Sequence, residues 1–354
     1  MRLLVRLLAL PVVVAALALL AFVATGAASL SGLGYASSLV LVTVSAMFES
    51  ARVRRRLVLS GLALLVATAG FRVAFAEHGR HLRMRTPSEA RARWVNRLLD
   101  EADLAVNASR ALAWVRLVPD PDVPELAEVM RDAYARMRAA EGWTPSPVVA
   151  TYAGLEGPWH DDTLEIGDVE GGAGVVVFLH GYAGSFTLPC WVVSLAASDA
   201  GFATVCPATR WVGDWWSAAG EATVRETVGR LRARGVRRIV LAGLSNGGVG
   251  ASLLASRMRG TFDGLVVISG ASPEAASPHV AVLALQGTHD AQMPAAVVRA
   301  YAARVGGRYL PLDAGHFALL VREAEARGAI TSFLRARAQT DLGPAPARLQ
   351  GAPP

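Results

Sequence analysis

Hydrophobic and polar residues alternate along this chain in three different rhythms. The first is nearly unbroken: no position between Leu7 and Phe48 is charged. A membrane-spanning helix needs about 20 apolar residues, so this run is long enough for two. Gly26–Gly34, with Ser29, Ser31 and Gly32 inside it, supplies a turn between them. After the basic stretch Glu49–Arg56 a third apolar run extends from Leu57 to Phe71, and on to Ala76 if Arg72 reaches back to the membrane surface. The pattern predicts spans at about 7–26, 32–48 and 57–76. A cleaved signal peptide would share Arg2, Arg6 and the small residues Ala24–Ala28, but the apolar run continues well past such a site.

The second rhythm is helical. Thr86-Pro87-Ser88-Glu89 joins a capping residue to Pro at a first helical position, and Trp94, Val95, Leu98, Leu99, Ala102 and Ala105 follow at helical spacing. Pro119-Asp-Pro-Asp-Val-Pro124 breaks the pattern, and Glu125–Ala140 resumes it. Residues 77–147 are therefore expected to form a helical neck or partial cover. Glu77, His78 and His81 lie close together, but no third ligand at metal-site spacing accompanies them, so an interfacial polar cluster is expected.

The third rhythm begins at Gly174. Short apolar runs at Val175–Leu179, Phe202–Val205, Ile239–Ala242, Leu265–Ile268, Val280–Leu285 and Tyr309–Leu312 read as buried strands. Helical stretches separate them near Leu188–Asp199, Glu221–Arg234, Gly247–Met258 and Pro294–Val305, and another follows at Leu319–Arg335. Such alternation predicts an α/β domain with a parallel sheet covered by helices, over residues 148–336. Two weaker strands are expected at Val148–Tyr152 and Thr163–Ile166, and a disordered tail over 337–354.

Charge sharpens this division. All 35 basic residues are Arg, and the formal charge is +6 over 354 residues. The first 100 positions hold 13 Arg against four acidic residues, whereas the remainder is slightly acidic. The basic excess therefore flanks apolar runs, as at a membrane surface, and nucleic acid is excluded as a partner. Arg2, Arg6 and the Arg52–Arg56 cluster fall on one side of the expected spans, and Arg80, Arg83, Arg85, Arg91 and Arg93 on the other. With Arg2 and Arg6 ahead of the first span, the expected arrangement is an integral protein of a bacterial plasma (inner) membrane. Its main domain would lie outside the cytoplasm, where Cys190 and Cys206 are free to pair.

Candidate chemistry sits at strand ends, where parallel sheets bind ligands. Ile239-Val-Leu-Ala-Gly-Leu-Ser245-Asn-Gly247 runs from a strand through Gly-x-Ser-x-Gly into a helix, the turn that lifts a nucleophilic hydroxyl above a sheet. A Ser hydroxyl needs a base and an orienting carboxylate. Asp290, after Val280–Leu285, and His316, after Tyr309–Leu312, follow in the order Ser, acid, His. Asp313 and Asp214 are alternative acids, and His289 is an alternative base. His180 suits a loop-supporting role. The backbone N–H groups of Asn246 and Tyr182 are the expected oxyanion donors. Trp191, Trp211, Trp215 and Trp216 crowd the first strand ends, as core packing, as an acyl pocket or as a membrane contact.

Through His180-Gly-Tyr-Ala-Gly, Gly243-Leu-Ser-Asn-Gly247, Gly287-Thr-His-Asp290 and Ala314-Gly-His316, residues 148–336 resemble the α/β-hydrolase family. The resemblance implies a predominantly parallel eight-stranded sheet and a catalytic Ser245–His316–Asp290 triad. It also implies acyl-enzyme chemistry without a metal or other cofactor. Ser at the nucleophile position speaks against dehalogenase and epoxide-hydrolase relatives, which use Asp. Many members carry a helical lid between the sixth and seventh strands, and here only Gly270–His279 is available. The site therefore resembles the open, compact esterases, unless residues 86–141 cover it. The expected function is a membrane-anchored serine hydrolase acting on small-molecule or lipid esters, thioesters included. A peptidase or amidase with the same triad, or a silent membrane scaffold of this fold, are the alternatives. The oligomeric state is left open.

Overall fold

The computed structural model describes residues 2–26, 29–86, 93–116, 118–158 and 161–339. The expected capping sequence at 87–89 and most of the expected tail lie outside these residues, and the tail's first two positions continue the last helix to Ala338.

Three apolar helices come first: α1 (Arg2–Thr25), α2 (Leu30–Ser45) and α3 (Ala51–Phe75). Two are long and apolar enough to cross a membrane, with mean hydropathy of 2.6 over Leu8–Thr25 and 1.9 over Ala51–Phe75. At 16 residues α2 falls short of that length. It lies against α3, where the Ser38 hydroxyl donates to the Gly61 carbonyl at 2.7 Å. The third helix starts earlier than expected. Ser50 caps it by accepting from the Val53 amide, so Arg52–Arg56 occupy its opening turns instead of a loop. Arg72 also departs from expectation. It is only 1% exposed and donates to the carbonyls of Arg97, Leu99 and Thr144, three acceptors that hold it away from any surface.

The sheet has eight strands: β1 (Leu82–Arg85), β2 (Thr163–Ile166), β3 (Gly174–Leu179), β4 (Phe202–Pro207), β5 (Ile239–Leu244), β6 (Gly264–Ile268), β7 (Val282–Gly287) and β8 (Arg308–Leu312). Their order is β1-β2-β4-β3-β5-β6-β7-β8. Only β2 runs against the rest: it pairs antiparallel with both β1 and β4, and every other pairing is parallel. This is the predominantly parallel sheet that the resemblance implies.

Two corrections concern its edge. Val148–Tyr152 is a short helix, α7, not a strand. Five apolar or β-branched residues suit either form, and here the Ala150 amide is claimed by the Asn96 side chain at 3.2 Å while Thr151 donates back to the Pro147 carbonyl. The edge strand comes instead from Leu82–Arg85, inside the segment expected to be neck, whose two Arg residues suit an exposed edge. The domain therefore begins before 148. Helices α4 (Val95–Leu98), α5 (Glu101–Val115), α6 (Val123–Glu141) and α7 are inserted between β1 and β2. The continuous helix expected from Trp94 to Ala105 is split, because Asp100 caps α5 by accepting from the Ala102 amide.

The remaining helices are α8 (Thr187–Ser198), α9 (Ala218–Ala233), α10 (Asn246–Arg257), α11 (Ala295–Arg304), α12 (Ala318–Val321) and α13 (Glu323–Ala338). One core packs Val224, Leu254 and Tyr301 against one face of the sheet. The other packs Leu188, Ile330 and Leu334 together with Val106, Leu126 and Tyr134 of the insertion. The insertion is thus part of the core, not a detached stalk. Its Glu101 carboxylate is buried and accepts from the Thr187 and Leu188 amides that open α8, from the Tyr134 hydroxyl and from Ser146. Burial pushes the pKa of Glu101 up, and these donors work against that shift. Cys190 on α8 and Cys206 on β4 are joined by a disulfide, the pairing that the sequence left open.

Candidate active site

The turn between β5 and α10 is built around one strained residue. Ser245 has φ 54° and ψ −119°, a conformation that side chains avoid unless their surroundings impose it. Its amide donates to the Ile268 carbonyl of β6 at 2.8 Å, and its carbonyl accepts from the Val249 amide at 3.0 Å. The flanking glycines are required for space. A Cβ on Gly243 would collide with the Gly247 carbonyl, and one on Gly247 with the Leu179 carbonyl at the end of β3. The sequence folds into an elbow here because only hydrogen fits on either side of the serine.

The structure brings Ser245, His316 and Asp290 together. His316 Nε2 lies 3.0 Å from Ser245 Oγ, and His316 Nδ1 lies 2.8 Å from Asp290 Oδ2. Donation of Nδ1–H to Asp290 leaves Nε2 as the acceptor for the Ser245 hydroxyl. All three residues are buried. Asp290 also accepts from the Gln292 and Met293 amides at 2.8 Å each and from Gln286 Nε2 at 2.8 Å. Burial pushes the Asp290 pKa up, but the His316 hydrogen bond and charge, with the Met293 and Gln292 amides, outweigh it. The carboxyl ends below its ordinary range. This arrangement can take a proton from Ser245 as its oxygen attacks, and hand it on to a leaving group.

Of the two expected oxyanion donors, Asn246 directly follows the serine in the chain. Asn246 opens α10, so its amide is one that helix geometry leaves without an intrahelical acceptor. The loop after β3 passes on the other side, where a Cβ on Gly181, the residue before Tyr182, would stand 3.0 Å from the Ser245 Cβ. His180 supports that loop: Nδ1 contacts the Gly181 carbonyl at 2.8 Å, and Nε2 accepts from the Thr209 amide at 3.2 Å. Burial lowers its pKa to about 4, consistent with a neutral ring that serves as scaffold.

The alternatives lie elsewhere. His289 is exposed and pairs with Asp313 at 3.1 Å, and Asp214 pairs with Arg210. Glu77 pairs with Arg97, and His81 lies 3.5 Å from Glu141, so the expected polar cluster is drawn apart to separate partners. Among the described residues no three His, Cys, Asp or Glu side chains gather as metal ligands would. The tryptophans divide: Trp191 and Trp215 are core, the latter donating to the His180 carbonyl, while Trp211 and Trp216 are exposed. Trp211 contacts the rings of Tyr182 and Tyr152 at 5.0 and 6.4 Å, an exposed aromatic group beside the loop after β3. A cavity of about 890 Å³ near α6 and α13, lined by Arg136, Asp199, Glu323 and Arg327, is not bordered by any of Ser245, His316 and Asp290.

Sequence reasoning missed two residues at the site. Asp120 and Asp122, buried in the loop read only as a helix break, accept hydrogen bonds from the backbone on both sides of His316. The run Pro119-Asp-Pro-Asp carries no signal that would assign them a partner nearly 200 positions away.

No protein-family model matches the chain, and no curated protein does. Solved structures similar in fold include Est1E from Butyrivibrio proteoclasticus, at 16% identity and a TM-score of 0.43 over 50% of this chain and 94% of that one. An esterase from Pyrococcus furiosus matches at 15% identity and a TM-score of 0.41, over 50% of this chain and 87% of its own. The enol-lactonase from Burkholderia xenovorans matches at 17% identity and a TM-score of 0.40, over 49% and 96% respectively.

Proposed function

We propose that this protein is a membrane-anchored serine hydrolase that cleaves carboxylic esters through an acyl-enzyme intermediate. The observation that carries this reading is the hydrogen-bonded line from Ser245 Oγ through His316 to Asp290. Ser245 Oγ attacks the ester carbonyl as its proton passes to His316 Nε2, and Asp290 steadies the resulting imidazolium. The amides of Tyr182 and Asn246 hold the developing oxyanion. The carbon–oxygen bond to the alcohol then breaks, and the alcohol leaves with the proton from His316. Water, deprotonated by the same imidazole, attacks the acyl carbon and releases the acid and free Ser245. The exposed rings of Tyr152, Tyr182 and Trp211 supply apolar surface for the substrate, which supports an apolar or lipid ester.

In the same reading, α1, α2 and α3 are the anchor. The ends of α1 and α3 nearest the catalytic domain are bound to the insertion: Arg110 donates to the Phe22 carbonyl and the Thr25 hydroxyl at 2.9 Å, and Arg72 to the Arg97 and Leu99 carbonyls. The opposite ends hold Arg2, Arg6 and Arg52–Arg56. The excess of Arg there favours the cytoplasmic side, leaving the catalytic domain outside, where the Cys190–Cys206 disulfide is stable. An alkaline phosphatase fused after residue 339 is expected to be active, and a stable but inactive fusion would reverse the orientation.

A fluorophosphonate probe tests the chemistry directly. Labelling that depends on Ser245 is expected, and folded protein that takes no label would overturn the enzyme reading. p-Nitrophenyl esters of graded chain length, run beside the matching anilides, then separate an esterase from an amidase.

A further inference from the structure

We propose that Asp120 and Asp122, two buried carboxylates of the insertion, are positioning residues that hold the His316 loop in register with Ser245. The proposal rests on His316 serving Ser245 as its base. Asp122 accepts from the Gly315 amide at 2.7 Å with one oxygen and from the Phe317 amide at 3.0 Å with the other. Asp120 accepts from the His316 amide itself at 2.8 Å. Three successive N–H groups are thereby gathered by two anions, as in the backbone concavities that bind anions elsewhere. The two carboxylates are also fixed relative to each other, because Asp120 accepts from the Asp122 amide at 3.0 Å.

This brace acts where the geometry of the imidazole is decided. The ring itself makes two hydrogen bonds, to Asp290 and to Ser245, and both depend on where the Cα of His316 stands. No other side chain is hydrogen-bonded to the amides of residues 315–317 among the described residues. Contact is so close that a Cβ on Gly315 would collide with the Asp120 carboxylate, so the glycine beside the base is explained by the brace. The brace is anchored in turn by α6, whose Val123 and Leu126 are buried in the core. An insertion that binds the anchor helices at one end thus reaches the base loop at the other.

The test uses the full chain and three variants: Asp120→Asn, Asp122→Asn and the double substitution to Ala. Titration with a fluorophosphonate counts competent sites, and the labelling rate per titrated site reports the geometry. Turnover of a p-nitrophenyl ester gives kcat and KM. The expected result is a full count of sites in the Asn variants and KM within about twofold, with the rate per site and kcat down roughly tenfold. The double Ala variant should lose roughly a hundredfold, the scale of an ångström of misplacement. A purely structural role would instead lower the count and leave the rate of each remaining site unchanged, which overturns the proposal. Unchanged rates with a full count overturn it equally. If the double variant does not fold, the Asn variants decide, since each keeps one oxygen acceptor. A wild-type chain that takes no label removes the base role itself, whereas a labelled wild type with unaffected variants removes only the brace.

Discussion

Asp290 is held by its own turn, and the loop of His316 by a distant part of the chain. Asp290 accepts from Gln286, Gln292 and Met293, all within four positions of it. The loop of His316 is held by Asp120 and Asp122, between 193 and 196 positions earlier. A short turn closes at small entropic cost, whereas the brace joins residues nearly 200 positions apart. The proposed reaction would thus draw on one support that is local in the chain and another that is long-range.

The nucleophile sets the scale for testing that contrast. Ser245→Ala is expected to remove ester turnover by roughly a millionfold, the loss found when a catalytic serine is deleted. Turnover that persists at even a hundredth of the wild-type rate would mean that another residue attacks. Asp290→Asn comes next. Two of the turn's bonds should survive, because Oδ1 can still accept from the Gln292 and Met293 amides, but the new NH2 group in place of Oδ2 cannot accept from His316 Nδ1 or from Gln286 Nε2. A loss of about 10⁴ in kcat is expected, with a fall of only a few degrees in the melting midpoint, about 1–3 kcal/mol for the lost Gln286 bond. A fall in stability as large as the fall in rate would show that the turn is less self-sufficient than its hydrogen bonds imply.

The loop on the far side of Ser245 gives a third comparison, read through pH. His180 titrates near 4 when folded and near 6.5 as a free side chain, so between those values the unfolded chain binds a proton that the folded chain does not. Stability is therefore lost as pH falls through this window, by up to roughly 3 kcal/mol. Thermal midpoints at pH 7.5 and 4.5 should separate more for the wild type than for His180→Asn, and equal separations would refute the buried neutral ring. The smallest effect belongs to His289, which shares the turn of Asp290 but is exposed and paired with Asp313. His289→Ala should leave kcat within about twofold, and a large loss would transfer the base role from the long-range loop to the local one.

Much of the site was legible because its signals are local. Gly243, Ser245 and Gly247 between a strand and a helix dictate an elbow from steric requirements that span five residues. Strands β3 to β7 announce themselves as short apolar runs because parallel strands are buried on both faces. Tyr309–Leu312, expected as a buried strand, instead lies in the edge strand β8 and is buried only at Leu312. The edge was less readable. Leu82–Arg85 is four residues long with two Arg, and Val148–Tyr152 has strand composition but is helical, because neither stretch contains enough residues to impose a period.

By itself the sequence determined the apolar amino-terminal helices, the α/β alternation, and the placing of Ser245, Asp290 and His316 after successive strand ends. Each of these follows from spacing, side-chain volume or the chemistry of neighbours in the chain. Only the tertiary structure decided that the helical segment lies inside the sheet's topology, that Arg72 turns inward to three carbonyls, and that Asp120 and Asp122 accept from the amides of residues 315–317. Those outcomes depend on which unpaired donors and acceptors the fold brings face to face. A carboxylate in a proline-rich loop looks the same in sequence whether it meets water or the backbone around His316.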